Sequence, residues 1–471
     1  MLVPDALPLE IWYRIIKVGE ISDQDSKAML AIAPQTTARN MHDAAFSTIF
    51  QSVDIGFGEG TDENKLASKL SSYLDSLPLR STTRYLRVDI STESWMDAEV
   101  HLPPKLDDLI CNVLSALPNI IGLDWRDCDH IGSRKERRWG CIRSCLPQLT
   151  KLIFRQYQFE TPLDLRVANA LQFLSLQHCQ FYHAGDGPWI ISDAKIQTLS
   201  LHIEDVNLKY SPMGPRSAPT RPTNILSRLN ISSVTSFYLR LPSPSQQDIS
   251  YLLTGSLSNN SFGLGANLQS LLLCKIDLPL ALALGNTCSF PSLHSCYLEC
   301  LLSPPLPGTQ YLVRPLCLFL NRQVSLERLE CVFSKFDMPP HEAAQYVDDV
   351  VNMLHRLKDL KCLKLTGYTF SLDHPAFRMA PLAQLQVLSI RSTNTSPLPE
   401  IVGTVAEKLQ SYPSLQEFHW QVLMQPTDSE CLDFEKTLKN ALPPIKFVQV
   451  KSTSFWTRSV QNISWRPRLE L

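Results

Sequence analysis

Along this chain, one apolar residue is repeatedly followed by two more, three and five positions later. The clearest copy is Leu171, Leu174 and Leu176, with Cys179 and Phe181 after it. A spacing of three and then two fits neither a lone helix nor simple alternation, and it turns a strand and the adjoining bend toward one core. A unit of this size cannot bury its apolar face alone and is stabilised by stacking on copies of itself. The pattern therefore predicts a repeat protein.

Thirteen copies follow one another along the chain, on average about 30 residues apart. The intervals are uneven, which a stack of repeats tolerates because the segments between strands can vary in length. The three apolar positions of the copies are Thr83/Leu86/Val88, Ile120/Leu123/Trp125, Leu149/Leu152/Phe154, Leu171/Leu174/Leu176, Ile196/Leu199/Leu201, Val234/Phe237/Leu239, Leu268/Leu271/Leu273, Leu293/Cys296/Leu298, Leu326/Leu329/Cys331, Leu360/Leu363/Leu365, Leu385/Leu388/Ile390, Leu415/Phe418/Trp420 and Ile445/Val448/Val450.

A proline precedes several of these copies, where it ends a helix and turns the chain into the strand. Segments 105–117 and 346–357 carry apolar residues at helical spacing ahead of two copies. Each repeat therefore reads as helix, turn and strand, which predicts an α/β solenoid with parallel strands on the concave face. The prolines lie one or two residues before the leading apolar position, at Pro118, Pro147, Pro291, Pro413 and Pro444.

This pattern resembles the leucine-rich repeats of ribonuclease-inhibitor-like proteins, over residues 81–455. The resemblance implies a leucine-rich-repeat solenoid, and an irregular α/β domain is the alternative. Several copies lack the Asn or Cys that follows the strand in that family, since Pro242, Ile276 and Leu301 stand there. We expect a less regular bend in those repeats.

Residues 1–55 follow a different pattern. Pro8 and Glu10 lie where a helix start favours a proline and an acidic residue. The apolar stripe of that helix and two further apolar segments, 29–32 and 46–55, predict a small all-α module. Residues 56–80, with a glycine-rich start, are expected to form a linker and a capping helix, and 456–471 a C-terminal tail.

The N-terminal segment resembles an F-box, the motif by which substrate receptors dock onto the adaptor of cullin-RING ubiquitin ligases. In its middle it has Ala31-Ile32-Ala33-Pro34, where many F-boxes carry Val-Cys and then Trp. A helical cap that shields the first repeat is the alternative. The resemblance implies that the adaptor is contacted by Leu7, Pro8, Glu10, Ile11, Ile15, Ile16, Leu30 and Ile32.

Composition narrows the classes of partner. The chain has 471 residues and a formal net charge of -2, which gives no bulk argument for nucleic acid or an anionic membrane. The strongest apolar run, 278–284, is far shorter than the ~20 residues that cross a bilayer. With no signal-peptide pattern at the start, we expect a cytoplasmic or nuclear protein.

The sequence lacks three common catalytic or phosphate-binding motifs. It contains no Gly-x-Ser-x-Gly elbow, no phosphate loop and no His-Glu-x-x-His helix. The 13 cysteines lack the spacing of a zinc site, and we expect Cys179, Cys296 and Cys331 to be core thiols. No catalytic residue, metal or cofactor is therefore expected.

The residues between the inward strand positions are expected to face the groove, because side chains alternate along a strand. In the clearest copy, Ser175 and Gln177 should face the groove while Leu174 and Leu176 are buried. The N-terminal half of this surface reads as more basic than the middle. Arginine and aromatic residues are favoured at binding hot spots, although ordinary strand residues are an equally weighted interpretation. The predicted substrate contacts are Arg126, Arg155, His202, Tyr238, Arg240, Leu272, Tyr297 and Glu299.

These patterns predict a non-catalytic substrate-recognition subunit of an SCF-type cullin-RING ubiquitin ligase. By resemblance, the N-terminal module would bind the adaptor and through it the cullin scaffold, and the concave face would position a protein substrate. The runner-up is a leucine-rich-repeat scaffold or inhibitor that binds one protein without any ligase. The proline-rich stretch 211–223 is expected to be a loop between repeats.

Overall fold

A computed structural model gives the structure of the chain, which divides into two compact units, with the division after Val234. The predicted adaptor contacts, from Leu7 to Ile32, lie outside the described residues, as do 211–223 and 456–471. The structure describes residues 51–58, 60–90, 102–127, 132–181, 189–203, 228–229, 231–240, 266–276, 278–287, 289–300, 313–333, 352–366, 382–392, 398–422 and 427–452.

The first unit is built on parallel strands. Its strands are β1 (Ser52–Phe57), β2 (Tyr85–Ile90), β3 (Gly122–Asp127), β4 (Lys151–Arg155), β5 (Gln158–Phe159), β6 (Leu163–Asp164), β7 (Phe173–Phe181), β8 (Ile190–Ser192), β9 (Thr198–Ile203) and β10 (Arg228–Leu229). Strands β1, β2, β3, β4, β7 and β9 pair in that order, and β5 pairs with the end of β7. A second small sheet has the order β10, β8, β6.

The second unit has the same construction. Its strands pair in parallel with their neighbours in chain order. They are β11 (Ser236–Arg240), β12 (Ser270–Ile276), β13 (Ser295–Cys300), β14 (Arg328–Phe333), β15 (Cys362–Thr366), β16 (Val387–Ser392), β17 (Glu417–Val422) and β18 (Phe447–Ser452).

Helices connect many of the strands. They are α1 (Glu63–Asp75), α2 (Leu77–Thr82), α3 (Pro104–Ser115) and α4 (Gly132–Cys145) in the first unit, and α5 (Leu278–Thr287), α6 (Val313–Leu320), α7 (Leu398–Leu409) and α8 (Asp428–Ala441) in the second. Helix α3 confirms the helix expected at 105–117. Helix α8 starts at a capping box, in which the Glu430 amide donates to Thr427 Oγ1 and the Thr427 amide donates to Glu430 Oε2.

The predicted repeat is confirmed where it matters most, at the strands. Each of the thirteen copies places its second and third apolar positions in one of the parallel strands. Leu174 and Leu176 are fully buried, and Cys179, Cys296 and Cys331 are buried core thiols as expected. The fold is therefore mixed α/β with parallel strands in repeated register, which agrees with a leucine-rich-repeat-like solenoid.

A forked hydrogen bond marks the start of nearly every repeat. The Ile121 carbonyl, for example, accepts the amides of both Thr150 and Lys151, at 2.9 and 3.0 Å. One carbonyl oxygen has two lone pairs, so it can hold two consecutive amides of the next repeat and fix their register. The same fork recurs at the carbonyls of Gln51, Arg84, Thr150 and Gln172 in the first unit, and of Thr235, Gln269, His294, Glu327, Lys361, Gln386 and Gln416 in the second.

The predicted proline turns lie just ahead of these forks. The Leu293 amide donates to the Phe290 carbonyl at 3.0 Å, and the Leu415 amide donates to the Tyr412 carbonyl at 3.1 Å. Pro291 and Pro413 lie inside these turns. Proline is tolerated there because the hydrogen bond uses the amide of the leading leucine rather than its own missing one.

Strand β1 differs from the prediction. Residues 52–57 were expected to close the helical module and open the linker, yet they pair in parallel with β2. Ile55 and Phe57 are buried whereas Asp54 is exposed. This alternation has the period of a strand and outweighs the apolar content that suggested a helix. The repeats therefore begin about one repeat earlier than predicted.

A buried ionic cluster joins α3 and α4 to β3. The side chain of Arg138 is fully buried. Its Nε atom donates a hydrogen bond to Asp107 Oδ1 at 2.6 Å, and its Nη1 atom donates one to Asp127 Oδ2 at 2.9 Å. Burial alone would lower the pKa of Arg138, but the carboxylates of Asp127 and Asp107 outweigh it and raise that pKa. The guanidinium therefore stays charged inside the unit and holds two helices against a strand.

Replacing Arg138 should test this cluster. Arg138→Ala leaves two carboxylates buried without their cation, so we expect the free energy of unfolding to fall by about 3–5 kcal/mol. The neighbouring Arg137 pairs with Asp108 at the surface, where both side chains are about half exposed, so Arg137→Ala should cost less than about 1 kcal/mol. Guanidinium unfolding of both variants measures the difference, and equal losses would contradict a special role for the buried cluster.

Candidate binding face

Strand register defines two outward faces, one in each unit. The unit 1 face carries the rows Asp54, Arg87, Asp124, Ile153, Ser175, Ser200 and Gly56, Asp89, Arg126, Arg155, Gln177, His202. The unit 2 face carries the row Tyr238, Leu272, Tyr297, Glu330, Lys364, Ser389, His419, Gln449, with Arg240, Cys274 and Glu299 two residues further along their strands. All eight predicted substrate contacts lie on these faces.

On the unit 1 face, Arg155 is held by its neighbours. Its Nε atom donates to Asp124 Oδ1 and its Nη2 atom donates to Asp124 Oδ2, each at 2.8 Å. Its Nη1 atom donates to Gln177 Oε1 at 3.0 Å. A bidentate contact of this kind fixes the guanidinium plane as well as its charge. Arg155 is thus oriented by β3 and β7.

Arg126 is engaged in the same way. It donates Nε to Gln156 Oε1 at 2.6 Å and Nη1 to Asp89 Oδ2 at 3.5 Å. Asp89 also accepts from Arg87 at 3.3 Å. Counted by register, three arginines therefore face three aspartates here. The N-terminal half is balanced in charge rather than basic, because aspartates on neighbouring strands offset the arginines.

Several residues expected to face the groove are covered instead. Ser175 is fully buried, and its hydroxyl accepts a hydrogen bond from Gln177 Nε2 at 3.1 Å. Tyr297 is only 4% exposed and lies between Leu272 and Glu330 in the strand register. Neighbouring strands are only about 4.8 Å apart, so long side chains cover shorter or flatter ones beside them. Alternation alone predicts direction but not exposure.

A strained bulge brings two histidines together on the unit 1 face. His178 has a φ of 56°, and its ring centroid lies 3.9 Å from that of His202. Here the register between β7 and β9 shifts by a residue. His202 is 9% exposed, whereas His178 is exposed. His178 was not predicted, and the bulge that places it has no signal in the repeat spacing.

The unit 2 face begins with a chain of polar groups on β11, β12 and β13. Tyr238 lies close to Arg240 and Cys274, and Cys274 lies close to Glu299. Burial raises the pKa of Tyr238 and of Cys274, and Glu299 raises the Cys274 pKa further. Burial therefore favours the protonated thiol, which is less reactive than a thiolate.

Glu330 is incompletely paired on this face. Its Oε2 atom is buried and accepts no hydrogen bond, and the nearest cation, Lys364 Nζ, lies 3.9 Å away. Burial raises the pKa of Glu330, while Lys364 lowers it to a smaller extent. At the other side of the face, Arg240 Nε is also buried without an acceptor. Each such buried group costs about 1–3 kcal/mol.

A cavity of about 310 Å³ opens beside this face, at the starts of β14 to β17. Lys361 Nζ donates to Glu327 Oε1 at 2.8 Å within it, and His419 Nε2 lies 3.5 Å from Glu417 Oε2. Sequence reasoning missed this cavity, because residues just before a strand carry no apolar signal. It is lined by Glu327, Arg328, Lys361, Cys362, Lys364, Gln386, Val387, Glu417 and His419.

Comparison with known proteins assigns the chain to no family. No protein-family profile and no curated protein matches the chain. The crystal structure of a TLR13–ssRNA13 complex is similar over 86% of this chain, with a TM-score of 0.41 and 13% identity. The match spans about half of that chain, 53%.

Two further properties concern only the part of the chain that the structure describes. None of its helices has both the length and the apolar character needed to cross a membrane. No group of three or more His, Cys, Asp or Glu side chains within it is arranged to hold a metal ion.

Two glutamates, Glu330 on β14 and Glu327 just before that strand, should respond to pH with opposite sign. Glu330 has a raised pKa, so its ionised form weakens the fold, and stability should rise as pH falls toward that pKa. Glu330→Gln should therefore stabilise the protein at pH 7, by roughly 1 kcal/mol. The variant should also lose the rise in stability that protonation of Glu330 gives at lower pH. Unfolding titrations at pH 7 and pH 4.5 measure both effects.

Glu327 is the matched control. Its hydrogen bond from Lys361 lowers its pKa, so its contribution to stability is present at neutral pH and is lost as pH falls through that pKa. Glu327→Gln should therefore destabilise the protein at pH 7 and matter less in acid. A stabilising effect of Glu327→Gln, or none of Glu330→Gln, would show that these local contacts do not set the pH dependence.

Proposed function

We propose that this protein is a non-catalytic substrate-recognition subunit of a cullin-RING ubiquitin ligase. In this proposal the segment from Leu7 to Ile32 binds the ligase adaptor, and the unit 2 face binds a protein substrate. Substrate binding by this face is supported by one observation. Half-buried tyrosine and leucine side chains on β11 to β14 lie near buried charged groups that lack a hydrogen-bond partner. The first part rests on the resemblance of that segment to an F-box.

The geometry of the unit 2 face suits binding. Tyr238 and Leu272 are half-buried, so each has a supported base and an accessible edge. Supported aromatic side chains give contact area at low entropic cost and are common in hot spots. Parallel strands held by forked hydrogen bonds present these groups on a rigid surface, and rigidity reduces the ordering cost of association.

The unit 1 face offers fewer free contacts. Arg126 and Arg155, both predicted substrate contacts, already donate to carboxylates and amide oxygens of neighbouring strands. A partner that used them would first have to displace those acceptors, which offsets much of the gain. We therefore place the main substrate contacts on the unit 2 face.

A repeat scaffold that binds one protein without a ligase is the second candidate. One observation favours it: strands β11 to β18 by themselves supply the rows of the unit 2 face. Both candidates share substrate binding through this face. They differ only in whether Leu7, Pro8 and Ile11 hold an adaptor.

Affinity purification from cells separates the two candidates. We expect the intact protein to retain the adaptor and cullin, and the variant Leu7→Ala/Pro8→Ala/Ile11→Ala to lose both while keeping its other partners. Retention of the adaptor by that variant, or its absence from the intact protein, would refute the ligase proposal and leave the scaffold.

The face is tested in the same cells. Tyr238→Ala/Leu272→Ala should keep the adaptor but lose most proximity-labelled partners, because the contact edges are removed. Leu432→Ala is the matched control, since Leu432 is 54% exposed and lies on α8 rather than on a strand of the unit 2 face. Thermal unfolding of each variant checks that it is folded. If both variants label the same partners, the unit 2 face is not the substrate site.

A further inference from the structure

Two buried polar atoms on the unit 2 face lack the partner that each requires. Arg240 Nε is a donor without an acceptor, and Glu330 Oε2 is an acceptor without a donor. Buried polar atoms in folded proteins nearly always have hydrogen-bond partners, so exceptions call for an explanation. These two are opposite in charge and lie on the same outward surface.

Neighbouring side chains do not complete either group. Arg240 lies close to the Tyr238 hydroxyl, but its Nε atom has no acceptor. Lys364 Nζ stays 3.9 Å from Glu330 Oε2, beyond the 2.7–2.9 Å typical of a charged hydrogen bond. The attraction between Lys364 and Glu330 therefore remains partial.

The surface between the two atoms carries both apolar and polar side chains. Leu272 and Tyr297 lie in the row of Glu330, and Cys274 and Glu299 lie two residues further along their strands, with Cys274 and Tyr297 only 6% and 4% exposed. The track between Arg240 and Glu330 runs from β11 to β14.

Strand spacing sets the length of this track. Arg240 lies on β11 and Glu330 on β14, three strand steps apart. At about 4.8 Å for each step, the two positions are roughly 14 Å apart across the strands, and the two-residue offset of Arg240 from the row of Glu330 adds about 7 Å along them, so they are roughly 16 Å apart. An extended polypeptide advances about 3.3 Å per residue, so about five residues span that distance.

We infer that the unit 2 face binds an extended segment of a protein partner, which places an acidic side chain at Arg240 and a basic side chain about five residues away at Glu330. The carboxylate accepts the hydrogen bond that Arg240 Nε offers, and the cation donates to Glu330. The residues between them pack against Tyr238, Leu272 and Tyr297. The inference rests on the proposed function, since it names the chemistry of the substrate segment.

Selection from a random nine-residue peptide library on the full-length protein tests this directly. We expect enrichment of peptides with one Asp or Glu and one Arg or Lys, separated by about five residues and in one fixed order. Enrichment of basic peptides alone, of uncharged peptides, or of none would overturn the inference. None of these outcomes affects the adaptor measurement, so failure here is distinct from failure of the proposed ligase role.

Charge-altered variants then assign the two ends. An enriched peptide should bind Arg240→Gln and Glu330→Gln about tenfold or more weakly, whereas Glu327→Gln, which changes a carboxylate already paired with Lys361, should bind it normally. Glu330→Lys should bind the same peptide once its basic residue is replaced by Glu. Fluorescence anisotropy measures each affinity. Equal loss in Glu327→Gln, or no rescue by the swapped peptide, would show that Glu330 does not contact the peptide.

Discussion

The forked hydrogen bond at the start of the strands is the constraint on which the other features depend. A single carbonyl, such as that of Glu327, accepts the amides of Lys361 and Cys362 from the next repeat at 2.8 and 3.0 Å. Backbone groups make this contact, so it survives any choice of side chain. It aligns each strand with its predecessor and allows the segments between them to vary in length. Uneven repeats therefore still give regular rows on both faces of the strands.

Because the rows are fixed, the chemistry of each outward face depends on which residues share a row. In the first unit, Asp124 and Arg155 lie on adjacent strands, and the arginine reaches both carboxylate oxygens. In the second unit, Glu330 and Lys364 are direct register partners, yet the ammonium stays 3.9 Å away. Arginine carries a planar fork that matches a carboxylate, whereas lysine offers one point charge. Similar rows thus yield a closed network in one unit and an open one in the other.

The sequence predicts the inward half of this structure well, because the apolar spacing is a property of each repeat on its own. Direction along a strand follows from the same alternation, which is why all eight predicted contacts lie on outward faces. Exposure does not follow, since the cover over Ser175 comes from Gln177 and the cover over Tyr297 depends on neighbouring strands. The Arg138 cluster joins residues 11 and 31 positions apart, and no local pattern records such a pairing.

The structure treats its buried charges in two different ways. Arg138 lies wholly inside the first unit, and both of its carboxylate partners are within hydrogen-bond distance, so burial there costs little beyond desolvation. Glu330 is less deeply placed but has an oxygen with no donor. A fold that satisfies a fully buried guanidinium is able to satisfy a carboxylate near its surface. The unsatisfied carboxylate persists where a second molecule can supply the missing donor, and the same contact would then contribute to affinity as well as stability.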